Sequence, residues 1–193
     1  MRRFWALCLV LLTISACVSK DYMRITHDPS GQEVRVVPIY IDDQFSEGDV
    51  TALQEAINEW NWALDQKLQL IVDDYHYHLH ATSRDPGYMF IRITSKNEAA
   101  NQDDTLVAYA FTVGVGGNRI YFVRDRIDSQ MALKLIALHE IGHALGSNHL
   151  DCEACLMRRW YSSDAYRCID QSAVLTVAKY QHLSTDGLRW CQR

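Results

Sequence analysis

Between residues 139 and 157 the chain reads HEIGHALGSNHLDCEACLM, which puts three histidines, a glutamate, two cysteines and a methionine into nineteen positions. His139 and His143 are four residues apart, so on an α-helix they share one face, about one turn (roughly 5.4 Å) apart, and can offer two nitrogens to a single ion. Glu140 is rotated by about 100° from His139, poorly placed as a ligand but able to reach a water bound to the metal. Gly146 enters the left-handed conformation cheaply, so the helix can stop there and the chain can turn back beneath the ion with His149 as third ligand. Three neutral histidines leave a zinc ion its full charge and one open position, which acidifies bound water toward a pKa of roughly 7 and polarises a carbonyl. Glu140 would then take the water's proton and pass it to a leaving amine.

The rest of the chain supplies the frame. After a polar tether ending near Glu33, VRVVPIYID at 34–42 is alternating and β-branched and predicts a strand, with Pro38 suggesting an edge or a bulge. A helix follows, capped by Ser46 or Asp49, with Leu53, Ala56, Ile57, Trp60 and Leu64 on its apolar face. Trp60 and Trp62 read as core and rim. LQLIVDDYHYHLH (68–80) and YMFIRITSKN (88–97) predict two more strands, separated by the turn-forming Arg84-Asp85-Pro86-Gly87. Residues 105–125 give an apolar strand, a glycine-rich connection and a further strand, before Asp128 or Ser129 opens a helix to about Leu145. DQSAVLTVAKY (170–180) reads as a last helix capped by Asp170. His76, His78 and His80 would share one strand face, where an ancillary metal competes with the reading we favour, a partly solvated surface. His27 and His182 are isolated and receive no role.

A length of 193 residues, with 48% hydrophobic and 22% charged side chains, suits one globular domain with its own core. A net charge of −5 supplies no basic field, so nucleic acid is not an expected partner. Residues 1–16, MRRFWALCLVLLTISA, have the layout of a secretory signal and are too short for a comfortable membrane span. Ile14-Ser15-Ala16-Cys17 resembles the lipobox of bacterial lipoproteins, which implies that Cys17 carries lipid and begins a tether over 17–33. The alternative is an ordinary signal that leaves Cys17 free. Under the first reading the chain is exported and anchored at the bacterial cell envelope, with an outer membrane or the cell surface expected. Cys152, Cys155, Cys168 and Cys191 remain; an even count in an exported domain suggests two disulfides, in any of three pairings.

The spacing H-E-x-x-H-x-x-G-x-x-H is similar to that of the metzincin metallopeptidases. Within them the chain most resembles the matrixins. Met157 falls where a Met-turn lies, Tyr161 matches the tyrosine of the M-x-P-x-Y pocket wall, and VGVGGNRIYF resembles the glycine-rich loop and strand before the active-site helix. The resemblance implies an α+β zincin domain over 34–193: a twisted mixed sheet, an active-site helix and a small C-terminal helical subdomain. It also implies one catalytic zinc, Met157 packed beneath it without ligating, and an extended peptide lying antiparallel to an edge strand at Leu106 to Val113. The chain departs from the family in four ways. Arg159 stands where proline is usual, and Tyr109 with Ile120 or Tyr121 where histidines hold a structural zinc, so that zinc and its neighbouring calcium are expected to be absent. No cysteine-bearing pro-segment follows Cys17. Cys152 and Cys155 resemble the archaemetzincin cysteines that bind a second zinc, although the spacings differ and we favour disulfides. The expectation is therefore a monomeric, lipid-anchored zinc endopeptidase; the alternatives are a noncatalytic peptide- or cell-wall-binding lipoprotein and a metallohydrolase of peptidoglycan cross-links.

Overall fold

A computed structural model describes residues 24–73, 89–94, 107–111, 118–152, 154–159 and 168–192. Its elements are β1 (Arg24–His27), β2 (Glu33–Ile41), α1 (Glu47–Ala63), β3 (Leu68–Val72), β4 (Met89–Ile93), β5 (Ala108–Phe111), β6 (Asn118–Phe122), a 3₁₀ turn (Arg124–Arg126), α2 (Gln130–Ala144) and α3 (Gln171–Gln181). β2 runs parallel to β3 and β4, and β4 parallel to β6, while β1 and β5 pair antiparallel with β2 and β6. The sheet is mixed, as the family resemblance implied, and α1 makes the crossover that parallel neighbours such as β2 and β3 require. Among the described residues β5 pairs with β6 alone, so the part of the expected edge strand that can be seen is at an edge.

Strand alternation divides the sheet into two faces. Ile39, Ile41, Met89, Ile91, Ile120 and Phe122 point into one core with Leu53, Ile57 and Trp60 of α1 and Leu133, Ile136 and Ile141 of α2. Burying each such side chain contributes about 1.5–3 kcal/mol. Trp60 is fully buried and Trp62 is 44% exposed, core and rim as read. On the other face Tyr109 and Tyr121 are direct cross-strand partners whose rings stack with centroids 5.1 Å apart.

Two expectations change. The stretch read as tether is folded from Arg24 onward: Asp28 Oδ1 accepts the N–H groups of Ser30 and Gln32, closing a tight turn that brings β1 back along β2. Pro38 lies inside β2 rather than at a sheet edge or a bulge. Arg35 donates its N–H to Lys67 O on the β3 side, so alternation puts the missing N–H of Pro38 on the opposite side. There, among the described residues, β1 pairing ends at Val36 and β4 pairing begins at Ile39, so Pro38 faces no described ladder partner.

The cysteines form two pairs, Cys152 with Cys155 and Cys168 with Cys191, which selects one of the three connectivities and not a four-cysteine zinc. The second pair ties the C-terminal tail to the start of α3, where Cys191 also donates its N–H to Ile169 O at 3.0 Å. Such a link typically contributes about 2–4 kcal/mol. His76, His78, His80, the turn at Arg84 to Gly87, Cys17 and Tyr161 lie outside the described residues.

Candidate metal centre

α2 begins at Ser129, whose side chain accepts the Ala132 N–H at 3.1 Å. Its end is set by Gly146, at φ +102°, with Ser147 N–H bonded to Gly142 O and Gly146 N–H to His143 O, each at 2.9 Å. That pair of bonds is a Schellman motif, and a left-handed glycine is what it needs. Gly146 also lies against the ring of Tyr180 on α3, so no side chain fits there. The stop that the sequence assigned to Gly146 is thus held twice, by backbone and by packing.

The turn delivers His149 to the pair on α2. One nitrogen of each of His139, His143 and His149 lies within 4.8 Å of the others. His139 Nδ1 is 2.7 Å from Leu156 O and His143 Nδ1 is 2.7 Å from Ser147 O. A carbonyl can only accept, so both Nδ1 atoms carry the proton, and in the neutral rings both Nε2 atoms keep a free lone pair. Such second contacts fix the tautomer and ring direction of metal-binding histidines. His143 Nε2 and His149 Nε2 are 3.2 Å apart. Two ligands each about 2.0–2.1 Å from a tetrahedral centre would be roughly 3.3 Å apart, so the spacing fits zinc.

The electrostatics agree with the geometry. Burial pushes the His139 imidazolium down to about 4 and lowers that of His143 and His149, the last with help from the charge of Arg159. The rings are therefore neutral near pH 7, the form that binds metal. Glu140 is 7% exposed, its Oε2 has no hydrogen-bond partner, and burial alone pushes its carboxyl up to about 8. An orphaned buried carboxylate is costly, whereas a dication beside it favours the ionised form. The three neutral imidazoles are complementary to a divalent cation.

Support for the site comes from side chains that reach across the fold. Met157 is fully buried, and a methyl group on Gly142, between the two helical histidines, would come within 2.6 Å of its Sδ and 3.2 Å of Trp60. The methionine thus packs against the helix at Gly142. Trp60 Nε1–H donates to Leu138 O at 2.9 Å, one residue before His139. Asp170 Oδ1 caps α3 while its Oδ2 accepts the Leu156 N–H, and Leu156 O in turn holds His139. Gln181, 2% exposed, donates to Leu145 O at 2.7 Å at the end of α2. Sequence reasoning gave Trp60 and Asp170 only local jobs and Gln181 none; a side chain that meets a distant carbonyl or N–H leaves no periodic signal.

The matrixin family matches residues 51–177. Among solved structures, the high choriolytic enzyme 1, a hatching-enzyme zinc-protease from the medaka fish Oryzias latipes, is similar at 19% identity with a TM-score of 0.39. That match covers 64% of this chain and 48% of the other, so the chain spans about half the length of that structure. A comparison with curated proteins finds no match. The family match takes in α2, the three histidines and Met157 and covers well over half of the sequence, and the chain belongs to the matrixin family.

Proposed function

We propose that the chain is a zinc-dependent endopeptidase, anchored at a bacterial envelope through lipid on Cys17. The observations that carry the catalytic reading are three imidazoles gathered around one point and, one residue along the helix from His139, a buried Glu140 whose Oε2 has no hydrogen-bond partner. His139, His143 and His149 would hold the zinc. Bound there, zinc supplies Lewis acidity toward a carbonyl and a nucleophilic water near neutral pH. Glu140 acts as general base and then general acid, accepting the water's proton on a carboxylate oxygen and delivering it to the departing amine. The apolar surroundings that raise its affinity for a proton suit it to both halves of that transfer.

β5 has an open side among the described residues, and an extended peptide can add to it by main-chain hydrogen bonds with little sequence preference. The envelope reading rests on the sequence MRRFWALCLVLLTISAC; among the described residues no helix is long and apolar enough to cross a membrane. A Cys17→Ser chain that stayed with membranes as the wild type does would argue against the lipid anchor.

The test of catalysis is digestion of a quenched random-peptide library, with and without chelator and zinc add-back, beside Glu140→Ala. We expect chelator-sensitive cutting that falls by at least about a hundredfold in the variant, in the range that proton transfer contributes. A Glu140→Ala chain that keeps its zinc and cuts at the wild-type rate would overturn the mechanism.

A further inference from the structure

The segment beside the third histidine carries a charge with no ion-pair partner among the described residues. Leu150, next to His149, donates its N–H to Met157 O at 2.7 Å and forms a parallel bridge with Arg158. The chain beyond the Met-turn therefore runs back alongside the third histidine, and Arg159 is its next residue. Arg159 is exposed and forms no ion pair among the described residues. Asp151, which the parallel register brings to the same end of the loop, is not bridged to it.

Arg159 follows the residue that bridges to Leu150, next to His149, and is a positive charge with no ion-pair partner among the described residues on a chain whose net charge is −5. Its planar fork matches a carboxylate in two parallel hydrogen bonds, and Arg keeps its charge at every working pH. Among the described residues no carboxylate bridges it, which leaves the fork open to an anion brought by a bound substrate.

We propose that Arg159 is a specificity-determining residue that receives a substrate carboxylate next to the cleaved bond, either an acidic side chain or a chain terminus. This rests on the peptidase reading above. It implies selection by charge at a place where the rest of the cleft, through β5, pairs with main chain of any sequence.

The test uses the zinc-loaded full chain on a defined peptide mixture, with cut sites read by mass spectrometry. Each peptide is present with Asp or Glu, with Asn or Gln, and with Lys flanking the cut, as free acid and as amide. Wild type should favour the acidic over the amide-bearing partner by roughly three- to tenfold, more at low salt, as a partly exposed charge pair allows. Arg159→Gln should bring that ratio near one, Arg159→Glu should shift preference toward Lys, and Arg159→Lys should keep part of it. Because the readout is a ratio within one digest, a smaller folded fraction does not imitate the result. A preference confined to free acids cut near their ends assigns the carboxylate to the chain terminus, and one kept by the amides assigns it to the side chain. Equal ratios in wild type and Arg159→Glu would overturn the proposal while leaving the peptidase reading intact; a zinc-loaded chain that cuts no peptide overturns both.

Discussion

The helices α1 and α2 pack side by side, yet α1 buries seven of its seventeen residues and α2 ten of its fifteen. α1 is a helix that its own sequence closes. Ser46 accepts the Asp49 N–H and Asp49 reaches back to the Ser46 N–H, a capping box that satisfies two otherwise unpaired donors, and a single apolar face turns to the core. α2 is apolar on most sides and is held by residues far away in sequence: Trp60 at its middle, Met157 beneath Gly142, Gln181 at its last turn. Damage to α1 away from Trp60 should therefore be felt as lost stability alone, and damage to α2 as lost metal geometry as well.

Gly142→Ala sharpens that contrast most. By intrinsic propensity the change should stabilise a helix by about 1 kcal/mol. Here the methyl would meet Met157 and Trp60, and overpacking a filled core costs about 1–3 kcal/mol. We expect a lowered denaturation midpoint together with weaker zinc retention, since both displaced neighbours support the helix segment bearing His139 and His143. A midpoint raised as in an ordinary surface glycine would show that α2 obeys the same local rules as α1.

A smaller effect should appear on acidification at the start of α1. Asp49 is 4% exposed and its carboxyl is held below the ordinary range, first by the hydrogen bond from Arg124, whose Nη2 is 2.9 Å away. A depressed carboxyl stabilises the fold fully above its unfolded value, about 3.9, and that contribution is lost as pH falls through the folded value. Stability measured by denaturant between pH 6 and pH 3 should decline less steeply in Asp49→Asn than in wild type. Identical slopes would mean that the ion pair does not couple folding to protons.

The same contrast explains how much could be read beforehand. α1 was legible because Ser46, Asp49 and the spacing of Leu53, Ile57 and Trp60 are local signals, and α2 because the histidine spacing requires a helix that stops at Gly146. β1 was hidden: Arg24-Ile-Thr-His27 is short, Ile25 is 65% exposed, and the segment is a strand only because β2 lies beside it. Pro38 misled for the same reason, since its tolerance depends on where the described pairings with β1 and β4 end and begin rather than on its neighbours in sequence. The cysteine pairing and the bond from Asp170 to the Leu156 N–H belong to the same class, set by where distant segments meet.

The account's central claim is that His139, His143 and His149 form one zinc site, and the most direct measurement is zinc per chain after dialysis, by elemental analysis, in wild type, Glu140→Ala and each histidine→Ala variant. The account predicts one zinc in wild type and in Glu140→Ala, and strong loss in each histidine variant with the fold retained. Full zinc content in a His149→Ala chain, or none in wild type, would contradict it.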